Sequence, residues 1–155
     1  MDKLIKYRML NISNEAEVAN VAEIHENAPK YWTRDHIIEP EQIQKRIEQL
    51  KKLEGCIERF FQVAETNEGR IVGFHWLDIE NNSGDIFGHI KSLWVQDEYQ
   101  HQGIATELKK NGELWAKSKG AHHIKTTVHA NNQKMIDFNL HCGYKKGFIE
   151  MVKKI

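Results

Sequence analysis

Apolar and polar residues in the first third of the chain predict one strand followed by two helices. Residues 4–11 alternate loosely, as a half-buried strand does. Asn14 followed three residues later by Glu17 is the pattern of a helix start. Apolar-face positions then recur at helical spacing at Val18, Val21, Ala22 and His25. Pro40 suits the first turn of a second helix. The apolar stripe of that helix is predicted at Ile43, Ile47 and Leu50.

The middle of the chain is rich in aromatic and β-branched residues and predicts three consecutive strands. Residues 60–65 and 70–79 flank a turn-like segment at 67–69 and indicate a hairpin. A polar loop over residues 81–85 leads to the third of these strands at 89–95.

The last third of the chain alternates helices with strands. The apolar positions of a helix that ends near Gly120 are Ile104, Leu108 and Trp115. Residues 123–128 predict a strand, 133–142 a helix stopped by Gly143, and 146–153 a final strand. Hairpins followed by strand–helix–strand crossovers predict a mixed α+β fold, with one sheet covered by helices on both faces.

Composition and charge narrow the class of protein. The 155 residues fit one domain spanning 1–155. Lys+Arg and Asp+Glu both number 22, which argues against a nucleic-acid or membrane-surface binder, because such proteins carry a basic excess. The sequence shows no signal-peptide pattern and no window near the roughly 20 apolar residues of a membrane span. Cys56 and Cys142 form no metal or redox pair, so we expect a soluble cytoplasmic protein.

The clearest chemistry lies where the strand ending at Val95 leads through a polar loop into the next helix. Gly103 and Ala105 stand at the start of that helix. The first N–H groups of a helix lack internal partners and carry partial positive charge, and small residues let a phosphate approach them. The junction therefore predicts an anion site suited to a diphosphate. The alternative is structural: Gly103 makes a tight turn and Ala105 favours the helix.

Two motifs together resemble the GNAT N-acetyltransferase superfamily. The segment Gln100-His101-Gln102-Gly103-Ile104-Ala105 is similar to its signature, in which Arg or Gln is followed by x-x-G-x-G or x-x-G-x-A. Asn132, eleven residues before Gly143-Tyr144, resembles the Asn-to-Gly-Phe spacing of its later motif. The likeness is strongest over residues 87–144. It implies the GNAT acyl-CoA N-acyltransferase fold, with a central mixed sheet of about six to seven strands. It also implies acetyl transfer from acetyl-CoA to an amine.

The resemblance implies how coenzyme A is held. In that fold the fourth and fifth strands separate, and the acyl-thioester arm enters the gap. Leu93, Trp94 and Val95 would line this arm, with backbone groups of Leu93 and Val95 pairing with the pantetheine amides. The Val95 N–H would be the oxyanion donor. Asn132 would contact the arm from the neighbouring helix. The pyrophosphate would lie against the loop and the helix start, at Gln100, His101, Gln102, Gly103, Ile104, Ala105 and Thr106.

Acetyl transfer needs a neutral amine, so a base must accept a proton. Strand alternation predicts that His89, Lys91, Leu93 and Val95 share one face. Several family members carry a Glu at the place of His89 or Lys91, but this chain has no carboxylate at either. His89 is the candidate general base, because the unperturbed pKa of an imidazole lies near 6.5. The alternative is a half-buried histidine bonded to a carbonyl. Lys91 is a poor base and is expected to be solvated, or to attract an acidic substrate.

A second departure from the family concerns the general acid. The family often carries a Tyr four residues before the glycine of the late motif, and that position here is Asn139. An amide cannot act as an acid, although it can hydrogen-bond the coenzyme A sulfur. A thiolate is a modest leaving group without protonation, so we expect acetyl transfer to survive. Tyr144 is expected to pack in the core.

The other candidate residues receive more ordinary assignments. None of the nine His residues shows zinc-ligand spacing, so no metal is expected. His25 is expected to be a core or cleft-lining histidine whose hydrogen bonds are satisfied. The segment 26–39, which joins the first two helices, is where acceptor choice is expected to lie.

Three functions remain open from the sequence. The first is an N-acetyltransferase acting on a primary amine of a small molecule or of a peptide or protein. The second is a coenzyme A-binding, non-catalytic module of the same fold, suggested by Asn139 and the missing strand carboxylate. The third is a protein with the fold and no cofactor. No nucleic-acid or membrane partner is expected, and a homodimer, the commonest assembly of soluble enzymes, is a candidate.

Overall fold

The computed structural model describes residues 4–52 and 58–155, so Cys56 lies outside the described residues. The strands of the described residues form one five-stranded sheet in sequence order. They are β1 (Ile5–Met9), β2 (Arg59–Thr66), β3 (Ile71–Asn82), β4 (Asp85–Val95) and β5 (His123–Thr126). Neighbours from β1 to β4 pair antiparallel, whereas β4 and β5 pair parallel. The predicted mixed sheet is therefore confirmed.

The described residues form four α-helices: α1 (Glu15–Asn27), α2 (Pro40–Lys51), α3 (Ile104–Ser118) and α4 (Gln133–His141). Of these, α1, α2 and α3 pack on the sheet. Short 3₁₀ turns occupy Ala28–Tyr31 and Asp97–Tyr99. The predicted helix starts are confirmed, because the Asn14 Oδ1 atom accepts the Glu17 N–H at 3.1 Å and Pro40 opens α2. All four helices agree with the apolar periodicity to within a residue or two.

The core lies on both faces of the sheet, as strand alternation requires. On one face, α1 and α2 pack on a cluster that includes Val18, Phe61 and Trp76. On the other face, α3 packs on two clusters centred on Leu108 and Leu77. The two faces of β4 therefore look towards different helices, α1 and α2 on one side and α3 on the other.

Two predictions about β-structure are wrong. The polar segment 81–85 is not a loop, because β3 and β4 pair as far as Asn82 and Asp85. Only Ser83 and Gly84 form the turn, and both have positive φ (53° and 93°). Two-residue hairpin turns favour this conformation because it matches the right-handed twist of the strands. Residues 146–153 alternate like a strand, but they adopt no regular secondary structure and are exposed. An alternating pattern becomes a strand only where a neighbour pairs with it. The described sheet therefore has five strands, fewer than the six to seven expected.

An irregularity in β4 determines which side chains share a face. Trp76 pairs with Ser92, but the next residue of β3, Leu77, pairs with Ile90, so Lys91 is an extra residue in a β-bulge. A one-residue bulge reverses the alternation of side chains on either side of it. Beyond the bulge β4 also loses its other neighbour, because pairing with β5 runs from Phe87 to Ile90 and stops there. β4 itself continues to Val95, so a gap opens along its last residues.

Candidate active site

The end of β4 directs backbone groups into the gap that β5 leaves. The Gln96 N–H donates to the Val72 carbonyl at 2.8 Å, directly beside the register pair of Val95 with Gly73. In an antiparallel ladder, hydrogen-bonded pairs alternate with pairs whose N–H and C=O groups point away from the partner strand, and Val95 belongs to the second kind. Val95 and, by alternation, Leu93 therefore point these groups into the gap, whereas the backbone of Trp94 faces β3. The Trp94 ring packs against Phe74 with 5.6 Å between ring centroids.

The loop after β4 is tied back to the strand by a glutamine side chain. Gln100 Nε2 donates to the Val95 carbonyl at 2.9 Å and to Asp97 Oδ1 at 3.0 Å. Gln102 Nε2 similarly donates to the Glu98 carbonyl at 3.1 Å. These bonds hold the loop in one course between the strand end and α3. The N–H of Val95 is not consumed by them and remains directed into the gap.

The start of α3 presents a group of uncapped amides. Gly103 precedes the helix at φ 82°, a conformation that favours glycine, and His101 also has a positive φ of 59°. The first backbone bond of the helix runs from the Glu107 N–H to the Gly103 carbonyl at 3.0 Å. No side chain among residues 4–52 and 58–155 caps α3. The N–H groups of Ile104, Ala105 and Thr106 are therefore available to an anion at this helix start.

A cavity of about 590 Å³ joins this loop to the start of α4. It is lined by Tyr31, Asp97, Gln100, His101, Asn131, Asn132, Gln133 and Lys134. The structure thus brings Gln100 and His101 together with Asn132, which is about thirty residues away in sequence. Asn132 caps α4, because its Oδ1 accepts the Met135 N–H at 3.2 Å. Lys134 Nζ contacts Gln100 Oε1 and adds a positive charge that the sequence analysis did not assign.

The candidate base, His89, lies in a charged cluster that crosses two strands. His89 Nδ1 is 2.5 Å from Glu80 Oε1, and Lys91 Nζ is 2.9 Å from both of these atoms. Lys91 and His89 hold the pKa of the Glu80 carboxyl below its usual value through these hydrogen bonds. The expected bond from His89 to a carbonyl is thus replaced by a carboxylate contact. Lys91 is not simply solvated, because Glu80 compensates its charge.

The prediction that His89 and Lys91 share a face with Leu93 and Val95 is wrong. The bulge at Lys91 turns His89 to the face of its register partner Asp78, which is the α1–α2 side of the sheet. Leu93 and Val95 pack with the α3-side cluster. The histidine and the two residues that flank the gap therefore stand on opposite faces of one strand.

Further polar residues lie on the same face of the sheet as His89, and sequence reasoning missed Arg59 and Asp78 among them. Arg59 pairs with Asp78 through two bonds, Nε–Oδ1 at 2.5 Å and Nη2–Oδ2 at 3.0 Å. The same guanidinium lies 4.9 Å from the centroid of the Trp76 ring, whose Nε1 donates to Asp78 at 2.9 Å. The His25 ring lies 5.6 Å from that ring, and burial lowers the pKa of His25 to about 4. His25 is thus a neutral histidine that borders the core, as expected, but its buried Nδ1 atom has no hydrogen-bond partner among the described residues.

Asn139 is buried and is held by an unexpected partner. Its Oδ1 atom accepts a hydrogen bond from Lys109 Nζ at 2.7 Å, and both residues are buried. Burial lowers the pKa of the Lys109 ammonium to about 8. A mid-helix lysine between Leu108 and exposed Lys110 gave no sequence signal of this burial. Tyr144, expected in the core, packs on the same ammonium.

The described part of the chain has neither a cluster of metal ligands nor a helix that could span a membrane. Within residues 4–52 and 58–155, no group of three or more His, Cys, Asp or Glu side chains is arranged to hold a metal ion. Over the same residues, no helix has both the length and the apolar character needed to cross a bilayer.

A family profile covers most of this architecture. The profile described as Acetyltransferase (GNAT) family matches residues 21–144, from within α1 to the residue after the glycine that ends α4. The chain belongs to this family. The GNAT match includes β4, the loop before α3 and the Lys109–Asn139 pair, so every part of the candidate site lies inside it.

Known proteins similar to this GNAT chain differ in length and in what they bind. Mycothiol acetyltransferase of Propionibacterium freudenreichii subsp. shermanii is 26% identical over 82 residues. That match covers 53% of this chain but only 26% of the relative, so the chain spans about a quarter of that protein.

Two solved structures share the fold over nearly the whole chain. A Pyrococcus furiosus protein named as an acetyl transferase has a TM-score of 0.77 at 22% identity, over 98% of this chain and 100% of that chain. The protein AAC(6')-Iy, solved in complex with the bisubstrate analog CoA-S-monomethyl-acetylneamine, has a TM-score of 0.70 at 13% identity. That likeness covers 98% of this chain and 99% of the other. At these identities the comparison establishes the GNAT acetyltransferase fold.

Proposed function

We propose that this protein is an N-acetyltransferase, acting as a single domain over residues 1–155, that transfers the acetyl group of acetyl-CoA to a primary amine. The observation that carries the proposal is the continuity between the β4 edge and the start of α3. Leu93 and Val95 direct backbone groups into the gap, and Gly103 leads directly to the uncapped amides of α3. An extended arm that ends in a diphosphate needs these two features side by side.

The residues present fit acetyl-CoA. Leu93 and Val95 would pair with the amides of the pantetheine arm, with Trp94 as the strand residue between them. The amides of Gln102, Gly103, Ile104, Ala105 and Thr106, together with Gln100 and His101, would hold the pyrophosphate, and Asn132 would contact the arm from α4. The Lys134 ammonium, which contacts Gln100 beside this loop, favours an anion there. A neighbour of the same fold binds a coenzyme A bisubstrate analog, which supports this use of the fold.

His89 would accept the proton that the attacking amine loses. Glu80 holds the imidazole through Nδ1, so Nε2 is the atom left to accept a proton. As the amine nitrogen bonds to the acetyl carbon, the Val95 N–H would stabilise the negative charge on the carbonyl oxygen. The carbon–sulfur bond then breaks, and the sulfur keeps the electron pair as the thiolate of coenzyme A. Because His89 lies across β4 from Val95, the proton would pass through water.

The acceptor is a small-molecule amine or a peptide amino group. The face that carries His89 also carries Glu80, Asp78 and Arg59, so it has both signs of charge. Tyr31 brings the segment 26–39 to the cofactor-side cavity, where this segment can contact the acceptor. We further propose a cytoplasmic protein, with a homodimer as the assembly to test.

The proposal is tested with purified protein, acetyl-CoA and a panel of amines that includes aminoglycosides, amino sugars and peptides with free N-termini. Release of the coenzyme A thiol and mass shifts of the acceptor are measured. Thermal unfolding with and without coenzyme A provides the binding control, and ligand at 100 times its dissociation constant should add about 2.7 kcal/mol to the stability. Acetylation of an amine supports the enzyme. Binding without thiol release on any amine supports the non-catalytic module, and absence of binding refutes both.

A further inference from the structure

The segment 145–155, which follows α4, is apolar and lies open to solvent. It adopts no helix or strand, and it exposes the large apolar side chains of Phe148, Ile149, Met151, Val152 and Ile155. Phe148 and Ile155 are fully exposed, and Met151 is 90% exposed. Single apolar residues on a surface are ordinary, whereas a contiguous apolar run marks an interaction surface. The segment therefore needs a cover that its own chain does not provide.

The composition of this segment suits a strand that is paired with a neighbour. β-Branched and aromatic residues favour strands and are scarce in disordered segments. When the segment is extended, Phe148 and Val152 lie on one face, and Ile149 and Met151 lie on the other. A strand that is apolar on both faces belongs in a sheet that is covered on both sides. An extended segment alone is not stable in water, so it requires a neighbouring strand.

The sheet has an unpaired edge at β5. On one side β5 pairs with β4, and no strand of the described residues lies along its other side, which is called the free edge below. The His122 N–H donates to the Ile86 carbonyl of β4 at 2.9 Å. Because these groups alternate along a strand, the N–H and C=O groups of His123 and Lys125 point to the free edge. An uncovered edge of this kind accepts a further strand.

The segment leaves the folded body close to this free edge. The Tyr144 N–H donates to the Asn139 carbonyl at 3.0 Å, which fixes the chain at the end of α4. Tyr144 packs in the same apolar cluster as Ile124 of β5. From Phe148 onward the large apolar side chains are exposed, so the segment begins near β5 without covering it.

A second copy of this chain satisfies the segment and the free edge together. Each chain carries both features near one another, so two chains related by a two-fold axis can exchange their segments. Extended, residues 146–153 would span roughly 26 Å, about twice the length of the four-residue β5. Covering the exposed apolar side chains of both segments would remove up to roughly 1,500 Å² of surface from water, within the range of about 1,200–2,000 Å² for stable interfaces.

We propose that segment 145–155 of one copy pairs as a strand with the free edge of β5 in a second copy, and that the second copy does the same in return. The product is a homodimer in which each sheet gains a strand from its partner. The inference goes beyond the proposed function, because it names the surface through which two chains associate. It does not depend on acetyl transfer.

The test measures mass and backbone protection on the same 155-residue protein. Sedimentation velocity over a concentration series gives the mass, and hydrogen exchange read by mass spectrometry gives the protection of residues 123–126. We expect a dimer in which these amides are protected. Dilution into the monomer should remove the protection, because the free edge is then open to water.

Met151→Pro removes a backbone donor from the middle of the proposed strand. Proline is excluded from the interior of a sheet, so we expect the dissociation constant of the dimer to rise at least roughly 100-fold. Met151 is exposed and lies outside regular structure, so thermal unfolding should show that the monomer keeps its fold.

A matched pair of charge variants gives a second measurement. Ile149→Glu places a carboxylate in the proposed interface and should also weaken the dimer. Leu114→Glu places the same charge on α3, where Leu114 is 60% exposed, and should leave the dimer unchanged.

Each outcome decides the inference. A monomer with an unprotected β5 contradicts it. A monomer with a protected β5 also contradicts it, because the segment would then pair with its own chain. A dimer that Met151→Pro leaves intact would be built on another surface. If Met151→Pro does not fold, Ile149→Glu and Leu114→Glu decide. Loss of acetyl transfer in the amine panel would refute the proposed function and leave this inference standing.

Discussion

The two sides of β4 are built on different principles. On the gap side, the chemistry rests on backbone: the edge of Leu93 and Val95, and the amides that follow Gly103. On the α1–α2 face, it rests on side chains from neighbouring strands, where Glu80 holds His89 and Lys91. Binding through backbone groups tolerates many side-chain substitutions, because it requires only that the backbone keep its conformation. A side-chain network fails when one member changes, so the two sides should respond very differently to mutation.

The largest effect is expected on the backbone side, from Gly103→Arg. A non-glycine residue at φ 82° costs about 1–2 kcal/mol, and the arginine side chain would also fill the space above the α3 amides. We expect coenzyme A binding to weaken at least roughly 100-fold, or about 2.7 kcal/mol. Calorimetric titration with coenzyme A measures this loss.

Gly84→Arg is the matched control for that variant. Gly84 has φ 93° in the β3–β4 turn, and a Cβ there would meet no atom within 4 Å. It should lose a similar amount of stability and bind coenzyme A normally. Normal binding by Gly103→Arg would show that the cofactor is held elsewhere.

The next largest effect is expected from His89→Ala on the side-chain face. Loss of a general base typically lowers the rate by a factor of about 100 or more. The base works as the neutral imidazole, so His89→Ala should change the pH dependence of kcat as well as its magnitude. A pH–rate series from 5 to 9 measures both effects, with the exposed His122→Ala as control. An unchanged profile would assign proton removal to water alone.

A smaller effect is expected from Glu80→Gln, which keeps the shape of the side chain and removes its charge. The imidazole loses one charge-assisted contact, and because the pair is partly exposed we expect a fall in kcat of only about fivefold. Binding of coenzyme A should not change, since Glu80 lies on the face opposite to Leu93. Steady-state kinetics measure kcat and titration calorimetry measures coenzyme A binding, with the exposed Glu48→Gln as control. A loss of cofactor affinity would break the division between the faces.

The smallest expected effect is a pH dependence of stability from the same carboxylate. Lys91 and His89 lower the pKa of Glu80 in the folded state relative to the ordinary value of 4.5. The unfolded chain therefore binds more protons in that range, and the contribution of Glu80 is present above about pH 4.5 and is lost as the pH falls through the lowered folded value. Urea unfolding of wild type and Glu80→Gln from pH 3 to 7 measures it. A difference that did not shrink towards pH 3 would contradict the charged contacts.

The sequence predicted what depends on local pattern. Asn14, Pro40 and Gly143 predicted helix ends because capping depends on residues that are close in sequence. The segment from Gln100 to Ala105 predicted the loop before α3 because it, too, is a local pattern. It could not predict contacts set by register. The bulge at Lys91 leaves no signature in the alternation, so His89 was placed on the wrong face. Glu80 and Lys109 were missed because their partners lie nine and thirty residues away.

The bulge at Lys91 has a consequence for how such a protein can diversify. It divides a single strand into two halves. In the proposed reaction, side chains of the upstream half would meet the incoming amine, and peptide groups of the downstream half would meet acetyl-CoA. Substitutions upstream can therefore alter acceptor preference without disturbing the grip on the donor. An insertion or deletion within the strand would exchange inner and outer positions on one side of it. We therefore expect new specificities in related chains to arise through point changes before the bulge, with the length of the strand conserved.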